Sequence, residues 1–480
     1  MTDNSLKKSI FSGMLWKFGE RILAQVVSFA VSVVLSRLLM PSDYGTVAIV
    51  LIFINIANVF VTSGFSTALV QNKEATEVDF STNFYCSLAM SIIVYGVMFV
   101  LAPVIAAFYG AAELTLIIRV FSLRIPISAF SAIQHAYVER HMLFKRYFFS
   151  TLFGTLISGV VGIALAYAGA GVWALIAQYF TNTVIDIIVL LCTVPWRPKL
   201  QFSASSAQKM MSYGWKILVA DLSGTFFDQL RGLIIGKVYT SADLAFYNKG
   251  NQLPNLISTN ISASVMTVLF PALADISDRK EKVKAVTRKS VRTMSYIMFP
   301  MLSGLACISN RLIPLLFTEN WTPAIPYVQI LSISSMIGLI SSVSLQSIKA
   351  VGRSDIILKI EIYKKPAYIL LLILGSWISP LAVAVTMLVY SIYSTVINGV
   401  QLSAVLEYTL REQVKDMFPA LGMSAFMAMI IYPLNWLNLG NVYVMFLQVL
   451  IGMAIYLLLS VISRNESYAD VCGLIKGQLK

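Results

Sequence analysis

Apolar runs of about 20 residues recur along the whole chain, and they constrain its fold more than any other feature. An α-helix of that length crosses the hydrocarbon core of a bilayer. Backbone polar groups find no partners in hydrocarbon, so only helices and closed barrels can span it. A barrel would alternate apolar and polar residues, and this chain does not. The sequence therefore predicts an all-α integral membrane protein.

We count about fourteen transmembrane helices in the apolar runs. The chain has no small-residue cleavage site after a short apolar core, so we expect the first span to be retained. The eleventh span is the least regular, because Lys364, Lys365 and Pro366 precede a short apolar run. The predicted spans are 14–39, 44–66, 83–108, 113–137, 148–168, 171–194, 213–238, 244–270, 290–310, 324–348, 360–379, 380–403, 417–436 and 441–463.

Basic residues are distributed unevenly between the loops. With the N-terminus inside, alternate loops hold most of the loop Lys and Arg, and 279–292 is the densest run. The opposite loops are short, and 168–171 and 433–441 contain neither residue. This asymmetry predicts cytoplasmic termini (N-in/C-in), a cytoplasmic tail at 464–480 and residence in the bacterial inner (plasma) membrane. The formal net charge of +13 then reflects orientation and contact with membrane lipids, so we expect no nucleic-acid partner.

The two halves of the chain resemble each other at a shift of about 200 residues, as transporter repeats do. That shift places Arg37 on Lys237 and Asn55 on Asn255. We predict an N-terminal six-helix lobe at 1–200, a C-terminal six-helix lobe at 205–407 and two additional helices at 414–463. Two-lobe transporters bind cargo between the lobes and work by alternating access.

Polar and charged side chains recur every three or four residues along the first two spans of each predicted lobe. Ionisable groups inside a membrane usually face water or a partner, so we expect these faces to line a central, cationic cavity. Polar residues at this spacing also join helices, and Asp228 could pair with Arg231 one turn away. The roles of Arg119 and Asp186 are left open. The candidate substrate residues are Lys17, Arg21, Gln25, Asn55, Asn58, Arg124, Lys216, Asp221, Asp228, Arg231, Asn248, Lys249, Gln252 and Asn255.

The sequence carries no catalytic or metal-binding pattern. Four cysteines are widely scattered and the only histidines are His135 and His141, so we expect neither a disulfide framework nor a metal site. The short outward loops leave no room for an extracytoplasmic catalytic domain. We therefore expect a protein that is not an enzyme and has no catalytic residues.

Several motifs resemble the polysaccharide transporter family of the multidrug/oligosaccharidyl-lipid/polysaccharide exporter superfamily. They are the segment 267–275 (TVLFPALAD), 315–321 (LLFTENW), 35–39 (LSRLL), Tyr44-Gly45 and 64–71. The resemblance implies two six-helix lobes forming a V and a cavity lined by the first two helices of each lobe. It also implies a flippase that carries undecaprenyl-diphosphate-linked oligosaccharide units to the outer leaflet for surface polysaccharide (capsule, exopolysaccharide or lipopolysaccharide).

The resemblance implies no cofactor, and it leaves coupling to a proton or sodium gradient open. The lipid-linked oligosaccharide is the expected partner, and polysaccharide assembly proteins are candidate partners.

Two other functions compete with the flippase. An ion-coupled multidrug exporter of the same superfamily would favour a cavity rich in carboxylates, whereas the candidate cations here outnumber Asp221 and Asp228. A glycan polymerase or ligase would need a substantial outward loop with catalytic residues, which the short outward loops do not provide.

Overall fold

A computed structural model describes residues 3–63, 69 and 76–469 of the chain. The described residues are almost entirely helical, which confirms the predicted all-α class. The helices are α1 (Asp3–Leu38), α2 (Pro41–Thr62), α3 (Glu77–Tyr109), α4 (Leu114–Ser122), α5 (Arg124–Arg140), α6 (Phe144–Tyr167), α7 (Val172–Thr193), α8 (Ala204–Val238), α9 (Ser241–Asp275), α10 (Lys280–Phe317), α11 (Ile325–Ala350), α12 (Ser354–Ser376), α13 (Pro380–Leu406), α14 (Leu410–Ile431) and α15 (Asn441–Ile462), with 3-10 turns at Glu319–Ala324 and Tyr432–Trp436.

Each predicted span coincides with one of these helices, apart from the fourth, which the structure divides into α4 and α5. The division follows from Pro126, which lacks the N–H that would bond the carbonyl of Ser122. Within the described residues, eleven helical segments are long and apolar enough to cross a membrane. The polar helices α1, α8 and α12 are not among them, so the count of fourteen spans and the N-in/C-in orientation stay predictions.

The basic run 279–292 differs from the predicted loop. Helix α10 begins at Lys280, ten residues before the predicted span, so this run is helical. Lys, Arg and Glu are good helix formers, and they extend a helix into water as readily as apolar residues extend it through lipid. The positive charges are therefore held on a rigid element.

Side-chain caps fix several helix starts. Thr76 and Asp79 form a capping box at the start of α3, where the Asp79 carboxylate accepts the backbone N–H of Thr76 at 2.7 Å. Thr409 and Glu412 repeat it at the start of α14. Each cap satisfies N–H groups that the first helical turn leaves without intrahelical partners.

The chain divides into two compact units, 1–245 and 246–480. In the first unit α1 packs on α6, α6 on α7, and α2 on α8. One of its buried hydrophobic clusters includes Phe80, Phe84, Ile133 and Trp196. In the second unit α11 packs on α10 and α13, while α10 also carries α14 and α15. The boundaries predicted from the internal repeat stay a prediction.

Two helical glycines of the first unit lie in opposite environments. A Cβ built on Gly45 of α2 would lie 1.8 Å from the backbone oxygen of Ser241. A Cβ on Gly96 of α3 would meet nothing within 4 Å. Gly45 is therefore required by close backbone approach, whereas Gly96 is not.

We expect Gly45→Ala and Gly96→Ala to have effects of opposite sign on the thermal stability of the purified protein. The Gly45 variant must force two backbones apart and should lower the melting temperature by several degrees. The Gly96 variant should leave it unchanged or raise it, since Ala is better than Gly in a helix by about 1 kcal/mol. Equal effects in a fluorescence melting assay would contradict this packing.

Candidate functional site

The structure describes only some of the side chains on the polar face predicted for α1 and α2. The side chains of Lys17 and Arg21 lie outside them, and Gln25 is half-buried. On α2, Asn55 is exposed and Asn58 half-buried. The Oδ1 atom of Asn58 is buried and has no hydrogen-bond partner among the described residues, so this amide retains capacity to bind a ligand.

Helix α8 carries the clearest set of exposed charges. Lys216, Asp221 and Asp228 are exposed, and Arg231 is half-buried on the same helix. Asp221 and Asp228 enter no ion pair in the described part of the chain. Arg231 has a partner within the protein, so pairing stays the competing interpretation for that residue. In a helix of a membrane protein such charges need water or a charged ligand.

The glycines on the same face of α8 have a packing role. A Cβ on Gly232 would lie 2.7 Å from Cδ1 of Ile52, and one on Gly236 would lie 3.1 Å from Cγ1 of Ile49. Both glycines thus let α8 approach α2 closely, as small residues do between membrane helices. The packing interpretation holds for these glycines, whereas the side chains of Asp221 and Asp228 on the same helix are exposed.

On α9, the amides and the lysine are in different surroundings. Asn248 and Asn255 are exposed and Gln252 is half-buried. Lys249 is only 4% exposed, and its Nζ lies 4.5 Å from the ring centre of Phe317 and 5.1 Å from that of Trp321. Aromatic faces attract a cation. The structure therefore gives Lys249 a packing role within the second unit that the sequence did not indicate.

Arg124 lies between α5 and α7 in the first unit. Its Nε donates to Oγ1 of Thr183 at 2.7 Å, and its guanidinium lies 5.5 Å from the ring centre of Tyr179. Arg119, by contrast, reaches the carbonyl of Phe99 at 3.3 Å and covers its ring. The two arginines of the predicted fourth span thus contact different neighbours.

A buried polar cluster that the sequence did not predict extends from Arg124 along the same helices. The Nε2 atom of His135 lies 2.9 Å from Oδ2 of Asp186, and Ser150 of α6 donates to the other carboxylate oxygen. The side chains of His135 and Asp186 are 26% and 18% exposed. Asp186 thus has a histidine of its own unit as its partner, and whether it lines the cavity stays open.

The spacing of the polar residues in the sequence is consistent with this cluster. Arg124, Ser128, Ser131 and His135 follow at intervals of four, three and four on α5. Tyr179, Thr183 and Asp186 repeat that rhythm on α7. Two polar stripes of one period mark facing helices. The pairing could not be predicted from local spacing, because His135 and Asp186 are 51 positions apart in the sequence.

The exposed groups define what chemistry the polar faces can perform. Lysine and arginine bind phosphate oxygens, and amides match sugar hydroxyls. The exposed carboxylates of α8 would in turn attract cations. The described residues thus offer binding groups for a polar, charged cargo.

A family model described as polysaccharide biosynthesis protein matches residues 34–326, which is more than half of the chain. The chain belongs to this family. The match begins within α1 and ends in α11, so it includes the α8 and α9 faces described above. This member is a multi-pass protein of the bacterial inner membrane, with eleven described helical segments that are long and apolar enough to cross a membrane.

Relatives within the family are similar over most of their length. The lipopolysaccharide biosynthesis protein WzxC of Escherichia coli is 24% identical over 82% of this chain and 81% of its own. The succinoglycan biosynthesis transport protein ExoT of Rhizobium meliloti is 23% identical over 74% and 72%. The lipid II flippase MurJ, in an inward closed conformation, has the same fold: TM-score 0.74 and 16% identity over 96% of this chain and all of its own.

We expect His135 and Asp186 to be energetically coupled. In a double-mutant cycle of His135→Ala and Asp186→Ala, the stabilities of the single variants should fail to add by about 0.5–3 kcal/mol, as they do for residues in contact. His135→Ala should be the more harmful, because it leaves the partly exposed Asp186 carboxylate with only the neutral hydroxyls of Ser150 and Ser131.

The matched control is His141→Ala. His141 is exposed and bonds the carbonyl of Tyr137 at 2.9 Å, outside the cluster. It should change the melting temperature little. Strict additivity of the two main variants would show that the His135–Asp186 contact contributes no stability.

Proposed function

We propose that this protein is a flippase that moves an undecaprenyl-diphosphate-linked oligosaccharide from the inner to the outer leaflet. The polysaccharide biosynthesis family supports the glycan pathway. ExoT, a relative of similar length, is named as a transport protein, which supports translocation rather than synthesis. The proposed mechanism is alternating access, with the cargo in contact with a cationic cavity.

The observation that carries the proposal is the exposed charge on α8. We infer that α8 crosses the membrane, where a purely structural helix would not expose Lys216, Asp221 and Asp228, because each uncompensated charge is costly there. A diphosphate cargo needs cations, and we propose that Lys216 and Arg231 of α8 supply them. The exposed amides Asn55, Asn248 and Asn255 would then bind sugar hydroxyls.

The expected chemistry divides the candidate residues into two groups. Lys216 and the amides are exposed and would contact the cargo directly. Lys249 and Arg124 are held by neighbours in their own units, so they would support the fold around the cargo. This division sharpens the sequence hypothesis, which gave all the candidate cations one role.

We expect Lys216→Gln and Arg231→Gln to reduce surface polysaccharide in cells while leaving the protein in the membrane. Hydrogen bonds to charged groups contribute about 1.5–3 kcal/mol, so each loss should slow export roughly tenfold to a hundredfold. Lys359→Gln, an exposed lysine on α12, is the matched control and should keep wild-type export. Normal polysaccharide in both test variants and in their combination would contradict a phosphate-binding role for α8.

A multidrug exporter is the second candidate, and the exposed carboxylates Asp221 and Asp228 favour it. Carboxylates attract cationic drugs as cations attract phosphate. A deletion strain distinguishes the two. The flippase predicts lost surface polysaccharide with unchanged drug susceptibility, whereas the exporter predicts intact polysaccharide with increased susceptibility to cationic drugs.

A further inference from the structure

Two adjoining cavities lie where α10, α14 and the segment after α15 meet within the second unit. Their volumes are about 290 and 270 Å³, and both are lined by Arg292, Glu466 and Ser467. We call them together the basic cleft. The cations that line it are Arg288, Lys289, Arg292, Lys415 and Arg464.

The floor of the basic cleft is a buried carboxylate that holds two arginines. Asp416 has a side chain only 2% exposed. Nε of Arg288 donates to one of its oxygens at 2.8 Å and Nη2 donates to the other at 3.0 Å, while Arg292 donates through Nε at 2.8 Å and through Nη2 at 2.7 Å. The hydroxyl of Tyr408 adds a hydrogen bond at 2.7 Å. Both carboxylate oxygens of Asp416 thus accept hydrogen bonds that hold the two guanidinium groups in place.

The basic cleft keeps an excess of positive charge. Its lining contains five cations and two carboxylates, Asp416 and Glu466. Glu466 pairs with Arg292 but is 79% exposed, so water screens it. Glu412, just outside, pairs with Lys284 at 3.2 Å and reaches Arg288 only at 3.5 Å. Fixed guanidinium groups with spare donors are suited to phosphate oxygens.

Arg464 stands in an unusual backbone position at the rim. Its φ of 47° is left-handed, at the end of α15 where glycine is the usual residue. The N–H of Asn465 bonds the carbonyl of Ser460 at 3.1 Å, as in a helix-terminating turn. An arginine here costs backbone energy that glycine would save. Helix termination alone therefore does not account for this residue.

Exposed apolar side chains adjoin the charges. Val414 and Phe418 on α14 are 55% and 66% exposed, and Val461 and Ile462 at the end of α15 are 55% and 69% exposed. These side chains lie within one turn of Lys415 and Arg464 in sequence. A ligand of the basic cleft would thus meet cations at one end and a lipid-facing apolar surface beside them.

We propose that the basic cleft binds the phosphate group of an anionic phospholipid whose acyl chains lie along α14 and α15. Charge complementarity selects a net-anionic headgroup, and the adjoining apolar side chains select a lipid over a soluble anion. The lipid would join α10 to the two C-terminal helices at the membrane surface. This site is independent of the cargo and of the proposed flippase function.

The test uses the purified full-length protein and titrates phosphatidylglycerol or phosphatidylcholine while bound lipid is counted by native mass spectrometry. The test variant combines Lys415→Gln with Arg464→Gly, which removes two charges and relieves the left-handed backbone. Its phosphatidylglycerol affinity should fall about thirtyfold, since a basic residue near an anionic surface contributes about 1 kcal/mol and 1.4 kcal/mol is a factor of ten. The matched control, Lys349→Gln with Lys359→Gln, removes two exposed charges elsewhere in the unit and should bind like wild type.

Each alternative outcome overturns the proposal. Equal affinity of the test variant and the control would show that the basic cleft is not the site. Equal binding of phosphatidylcholine and phosphatidylglycerol would show that headgroup charge is not recognised. Competition by millimolar inorganic phosphate alone would indicate a free-anion site. A melting temperature of the test variant at or above wild type verifies that it folds, so a loss of binding reports the lipid contact.

Discussion

The cost of burying an ionisable group away from water determines how this chain is built. Each such group needs water, a ligand or a partner within the protein. Asp416 takes two arginines and a tyrosine, Asp186 takes His135 and Ser150, and Lys249 lies against two aromatic rings. These contacts join helices far apart in sequence. Asp221 and Asp228 on α8 are exposed and enter no ion pair within the described residues, and we propose that this helix contacts the cargo.

Helix α10 illustrates how polar contacts organise the second unit. At one end Arg288 and Arg292 hold α14, and in the middle the hydroxyl of Tyr456 on α15 donates to the carbonyl of Tyr296 at 2.8 Å. At the other end Arg311 donates to Asn441, the first residue of α15, at 3.0 Å. Three contacts along one helix fix the two C-terminal helices to it. The basic cleft lies at the first of them.

The sequence predicted the helices well because lipid requires long apolar runs, and those runs are local. It predicted the ends poorly where charged residues continue a helix, as at Lys280, or where Pro126 divides one. The site residues were harder to predict, because polar residues recur at the same spacing whether they pack helices together, form ion pairs or bind a ligand. Gly232 packs and Asp228 is exposed on one stripe of α8. Partners such as His135 and Asp186 become visible only when the helices are assembled.

A reconstituted assay tests directly whether this protein translocates a lipid-linked glycan. The purified protein would be placed in liposomes with an undecaprenyl-diphosphate-linked oligosaccharide, and the fraction accessible to an impermeant glycan-modifying reagent would be followed over time. We expect the protein to exchange the glycan between the two leaflets. The Arg231→Gln variant should exchange it more slowly when the same amount of protein is incorporated into the liposomes. Exchange no faster than in protein-free liposomes, under proton and sodium gradients of either direction, would contradict it.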